Sequence, residues 1–204
     1  MSSRISTLAT RGFIITAVAA FALFGYGCSN DSKTIGAQFT ASATSSAVGL
    51  VKLVPNSASG SRVVVSAVIY GPATLDMYSF DFDVVIGDIG VLAFVPGSAA
   101  AGNALTATGG QTVVATASTN ASNPSHVVVS VHKTGGGAGN DVAGASAVIV
   151  TLAFDTLMAG TSTVAIATAP APAAKNSASA AIGAITFDSA SGSVTGVSTG
   201  GGPY

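Results

Sequence analysis

Leu75-Asp76-Met77-Tyr78-Ser79-Phe80-Asp81-Phe82-Asp83-Val84-Val85-Ile86 is the stretch that decides the fold. Tyr78, Phe80, Phe82 and Val84 alternate with Ser79, Asp81 and Asp83, and Gly87-Asp88 ends the run. Successive side chains of an extended chain point to opposite sides, so a period of two gathers the apolar set on one face. The spacing therefore predicts a half-buried strand with Tyr78, Phe80, Phe82 and Val84 in the core. Asp81 and Asp83 become its solvent-facing alternates.

The same wording recurs on either side. Val48–Val54 ends at Pro55-Asn56, Arg62–Tyr70 at Gly71-Pro72, and Ile89–Val95 at Pro96-Gly97. Gln111–Ser118, His126–Lys133, Ala147–Phe154, Thr161–Thr168 and Ser193–Val197 complete the set. Each run is rich in β-branched or aromatic residues, and turn formers separate the runs. About nine strands and no amphipathic helix after the leader predict two antiparallel sheets packed face to face. Val64, Val68, Phe94, Val129, Val150, Leu152, Phe154, Val164, Ile166 and Val194 join Tyr78, Phe80 and Phe82 in the expected core. Gly97–Gly110 and Thr134–Gly144 are Gly/Ala-rich connections, either binding loops on a rigid scaffold or mere slack.

The amino terminus reads as an export address. Arg4 and Arg11 precede an apolar stretch from Phe13 to Phe24, and Gly25-Tyr26-Gly27 leads into Cys28, the only cysteine. A charged start, a short apolar middle and a small residue before the cut are the parts of a secretory signal. Residues 1–27 are thus expected to be a cleaved lipoprotein signal helix. The ending resembles a bacterial lipobox, although Gly25 and Tyr26 depart from its usual residues, and Cys28 is the expected lipidation site. Ser29 after it is compatible with sorting to an outer membrane, so an outer-membrane or cell-surface address is expected. Residues 28–46, rich in Ser, Thr and Ala, read as a flexible tether, with Gln38-Phe39 as a possible short edge segment. The domain is then expected over 47–204.

Composition narrows the chemistry. Charged residues make up 7% of the chain, Trp is absent, and all eight acidic residues are Asp. A near-neutral surface offers no positive field for phosphates, so nucleic acid is not an expected partner. One cysteine forms no internal disulfide. Asp81 and Asp83 lie about 6.6–6.8 Å apart on a strand, a separation within the range for an inverting glycosidase. Yet they read as outward alternates of an amphipathic strand, and neither Glu nor Trp is at hand. Calcium ligation by Asp81, Asp83, Asp76 and Asp88 lacks a calcium-loop pattern. His126 and His132 are about 20 Å apart along one strand and share no metal. Thr134–Gly139 lacks the Lys and helix of a phosphate loop. The sequence therefore predicts no catalytic residue, no metal site and no cofactor.

The later strands carry a resemblance. Ala147–Phe154, with its Leu152-Ala153-Phe154 ending, then Met158–Ile166 with a Gly160-Thr161-Ser162 turn, resembles the cohesin-domain pattern. Asp188-Ser189-Ala190-Ser191-Gly192 into Ser193-Val194-Thr195 resembles the cohesin close. Phe94 before Val95-Pro96-Gly97-Ser98 is similar to an upstream segment of that family. The likeness spans about residues 48–198 and rests on packing and turn residues. It departs after Asp83, where Val84–Asp88 carries no proline. The resemblance implies a cohesin-like jelly roll related to carbohydrate-binding modules. It also implies non-catalytic binding of a dockerin-like protein partner in a polysaccharide-related setting. Direct polysaccharide contact is the alternative, with Tyr70, Tyr78 and Tyr204 as the only loosely placed aromatics. No ligand-binding residue is carried over.

Overall fold

The computed structural model describes residues 34–199. The leader, Cys28 and Tyr204 lie outside the described residues. Two sheets face each other. The large sheet has eight strands, and its backbone order begins with β1 (Thr34–Thr40), β14 (Gly192–Thr199) and β11 (Gly160–Ile166). It continues through β4 (Ala73–Ile86), β8 (Asn123–Thr134) and β7 (Thr112–Asn120), while β9 (Asn140–Val142) and β12 (Ala173–Asn176) also pair with β4. The smaller sheet runs β13 (Thr186–Phe187), β2 (Leu50–Ser59), β3 (Arg62–Tyr70), β10 (Ser146–Thr156) and β5 (Leu92–Phe94), with β6 (Ala100–Ala101) on β10. Every pairing is antiparallel except the two-residue β13–β2 contact. All nine expected strands are present. Five more, β1, β6, β9, β12 and β13, are added.

β4 holds the large sheet together because it is long enough to serve several neighbours. Its C-terminal half pairs with β11 at Val84–Ile86, and β12 takes the same side at Met77–Asp81. The whole opposite edge from Ser79 to Val85 belongs to β8. Phe80, Phe82, Val84 and Ile86 point inward and meet Phe154, Leu152, Val65, Ile69 and Leu92 in one continuous cluster. Edge-to-face contact between Phe94 and Phe154, 5.9 Å between ring centres, closes part of it.

Three expectations are corrected here. Residues 34–40 are not tether: they form β1, pair along their whole length with β14 and bury Phe39 opposite Val194. The signal is short: Ile35, Ala37 and Phe39 alternate with Gly36 and Gln38, but over only seven residues between two Ser/Thr-rich stretches. Tyr78 is half-buried, and Met77 is the buried residue beside Phe80. The cause is a bulge: Lys175 faces Ser79 while Asn176 faces Met77, leaving Tyr78 as the extra residue. Val64 is half-buried too, because Val63, Val65, Ala67 and Ile69 take the core face of β3. Val68 is buried, but on the other side of the sheet and outside the main cluster. A run apolar on both faces gives period two no way to choose between them.

Candidate binding face

The outward side of the large sheet is a face built across neighbouring antiparallel strands. Its register aligns short polar and apolar residues in rows: Thr116, Ser130 and Asp81 in one, Ser118, Val128 and Asp83 in the next. Val114, His132 and Ser79 make a third. Beyond β4 the face continues through Thr163 opposite Ser193 and Thr161 opposite Thr195. Val114, Thr116, Val128, Asp81, Thr161, Thr163, Thr195 and Val197 are exposed.

Asp81 and Asp83 share this face but not an environment. Asp81 is exposed and accepts a hydrogen bond from Ser130 Oγ at 2.7 Å. Asp83, expected in solvent, is only 4% exposed. Its Oδ2 lies 3.3 Å from His126 Nδ1, the diagonal neighbour across the β4–β8 ladder. The imidazole thus covers the carboxylate that strand periodicity alone leaves in water. His132 sits three rows away, opposite Ser79. The structure does not unite the two histidines, and among the described residues no three His, Cys, Asp or Glu converge.

The two Gly-rich connections are not slack. Asn140 joins them: its Oδ1 accepts from Thr106 N at 3.0 Å and from Lys133 Nζ at 2.9 Å, and its Nδ2 donates to Thr106 Oγ1. Gln111 Nε2 donates to the Gly136 and Ala138 carbonyls, and Asp76 accepts from Gly139 N and Ser177. Gly139 admits no Cβ, since one would stand 2.2 Å from the Asp76 carbonyl oxygen. Lys133 itself is buried, and burial holds its ammonium pKa down against the pull of Asp76. Sequence reasoning missed these polar clamps. One signal was available: Lys133 has the same parity as Val127, Val129 and Val131, which marks it as inward-facing.

A second clamp lies on the smaller sheet. Asp188 is buried, and burial alone would raise its pKa. Hydrogen bonds from Ser42 Oγ, Ala190 N and Thr44 Oγ1, with the charge of Lys52, outweigh that and hold it below the usual carboxylate range. Lys52 Nζ donates to the Thr44 carbonyl. Asp76 is lowered chiefly by Ser177 and then Gly139, and Asp155 by its paired hydrogen bonds from Arg62. The Arg62–Asp155 pair is largely in solvent and contributes little. A carboxylate whose folded pKa is depressed stabilises the fold above its unfolded pKa, and that contribution disappears as pH falls through the folded value. Melting temperature is therefore expected to hold from neutrality down to about pH 4, the ordinary Asp range, and to fall below it. Asp188→Asn should flatten that acid limb, whereas an unchanged limb would remove Asp188 from the account.

Taken by its sheets, this is an all-β jelly-roll sandwich; taken by its neighbours among solved structures, its fold is cohesin-like. The type II cohesin dyad of the ScaA scaffoldin of Acetivibrio cellulolyticus aligns with TM-score 0.50 at 14% identity. The alignment covers 69% of this chain and 46% of that one, so the chain spans about half of that two-module protein. The sixth cohesin of scaffoldin B from the same organism, solved with a mutant Cel5 dockerin, aligns with TM-score 0.47 at 16% identity over 76% and 96% of the two chains. A further type II cohesin domain from its cellulosome gives 0.45 at 14% over 69% and 92%. No protein-family model matches the chain, and no curated protein sequence matches it.

Proposed function

We propose that this domain is a non-catalytic binding module that takes a folded protein partner, dockerin-like in class, on the outward face of the large sheet. The observation that carries the reading is the face itself. It is continuous across five antiparallel strands from β7 to β14, and the residues exposed on those strands are chiefly hydroxyls and valines with the carboxylate of Asp81, while Lys175 of β12 stands exposed beside Ser79. Such a surface suits broad contact with another protein, where shape and a few central residues set affinity. Glycan contact is supported less well, because Tyr70 lies on the smaller sheet and Tyr78 on the large one, so the two make no aromatic row. The paired-Asp alternative is weakened by the tie between Asp83 and His126, which leaves only Asp81 open to a substrate.

The proposal extends to the address: Cys28 carries the lipid that holds the module at the outer membrane or cell surface. The motive is the charged, apolar and small-residue order before Cys28. Each buried methylene of such a chain contributes about 0.8 kcal/mol to membrane affinity.

Binding is tested with a panel of dockerin modules and insoluble glycans against wild type and Asp81→Arg/Thr163→Arg. Both residues are exposed on the face, Asp81 within β4 and Thr163 on β11 beside the end of β4, so the variant should melt like wild type and lose about tenfold or more in dockerin affinity. Retention on glycan with no dockerin bound would overturn the protein-partner reading. In cells expressing the protein, a palmitate analogue should label wild type and not Cys28→Ala. Equal label with both chains soluble would end the lipoprotein assignment.

A further inference from the structure

We infer that the β7 edge of the large sheet is a self-association edge, pairing antiparallel with β7 of a second copy across a two-fold axis at Thr116. β7 is the last strand of its sheet, and its only ladder partner among the described residues is β8. The nearby β6 pairs with β10 instead. An open strand edge displays a row of unpaired backbone N–H and C=O groups, and proteins ordinarily guard such edges with charge, proline or brevity. β7 has none of these. It is nine residues long, reads TVVATASTN, and carries neither a charged residue nor a proline. The end strand β5 of the smaller sheet has only three residues, and β13 at its other end has two.

A second copy is the occupant this edge fits, because the strand complements itself. An antiparallel pairing centred on Thr116, the middle of Thr112–Asn120, sets Thr116 against its own mate. Ala115 then faces Ala117 of the second copy, and Val114 faces Ser118. Every pair is small and uncharged, so no like charges meet and no side chain is too bulky for its opposite. Ala115 and Ala117 already pack half-buried against the core, and the second copy would cover their open side. On the outward side, Val114 of the mate would come beside Ser118, whose other neighbour is the exposed Val128. Isologous pairing of this kind closes as a dimer and leaves no further open edge at β7. The inference does not depend on the partner reading above.

The test is sedimentation equilibrium of the full chain in density-matched detergent. Wild type should be a dimer, and Thr116→Lys alone or Thr116→Asp alone should weaken self-association at least tenfold, while at dilutions where wild type is also monomeric the melting temperature should be unchanged, since Thr116 is exposed. Mixing the two variants should restore a dimer, because opposite charges then face each other at the axis. Three results would overturn the inference. One is a wild type that stays monomeric up to about 100 µM, far above the Kd of a specific interface. The others are dimers that persist in both single variants, and variants that remain monomeric when mixed.

Discussion

A chain that starts at Val48 is expected to lose most of its stability, whereas one that starts at Thr34 should keep it. The difference is β1 and the segment after it. Phe39 is buried in the main cluster opposite Val194, and removing a buried Phe side chain costs about 3–5 kcal/mol. The seven-residue ladder to β14 goes with it, and so does the bond from Ala37 N to the Gly60 carbonyl, which ties β1 to the turn between β2 and β3. Ser42 and Thr44 are also lost, leaving Asp188 and Lys52 buried without these partners. An unpartnered buried charge is costly in itself. Against a total of about 5–15 kcal/mol for a domain, these losses suffice to leave the shorter chain partly or wholly unfolded at room temperature. Urea denaturation of the two chains decides it. Coincident midpoints would mean that β1 is an ornament on the sandwich and not part of its core.

The second large effect is expected at Phe80. It is fully buried at the middle of β4, opposite Val131 of β8 on one side and Ala174 of β12 on the other. Phe80→Ala should cost about 3–5 kcal/mol, because neighbours held in two ladders relax only partly into the cavity. Tyr78→Ala is the informative comparison. Alternation alone makes Tyr78 and Phe80 equals, but the bulge turns Tyr78 to the rim, where its hydroxyl accepts a hydrogen bond from Gly136 N at 3.2 Å. Its loss should cost about 1–2 kcal/mol, within the ordinary range for single substitutions. Equal losses at the two positions, measured by the same denaturation, would sink the bulge account.

The contrast between these two tyrosine and phenylalanine positions shows how far periodicity reaches. In Leu75–Ile86 the polar and apolar sets alternate, so Phe80, Phe82 and Val84 were placed correctly on the core face. In Arg62–Tyr70 both sets are apolar, and the odd one took the core while the even one was expected there. A local pattern carries parity only where the two faces differ in polarity. A bulge shifts parity without leaving any mark on composition, since it is created by the register of β12 and β9 against β4.

The candidate face was partly legible. The outward orientation of Asp81, Ser130 and Thr163 follows from strand alternation, and the low charge of the surface follows from composition. The burial of Asp83 does not, because it depends on His126, 43 residues further along the chain, being its diagonal neighbour across the β4–β8 ladder. Likewise the union of the Gly-rich connections through Asn140 and Thr106 depends on a contact spanning 34 residues.

By itself, then, the sequence determined the class of fold, the nine principal strands and most of the core, because each is written in neighbouring residues. The tertiary structure decided which face of β3 is inside, that residues 34–40 complete the large sheet, and where Asp83, Lys133 and Asp188 find their partners. Those outcomes depend on pairings between distant strands, and the energy of a ladder or of a buried charge is set by the partner that arrives, not by the residues beside it in the chain.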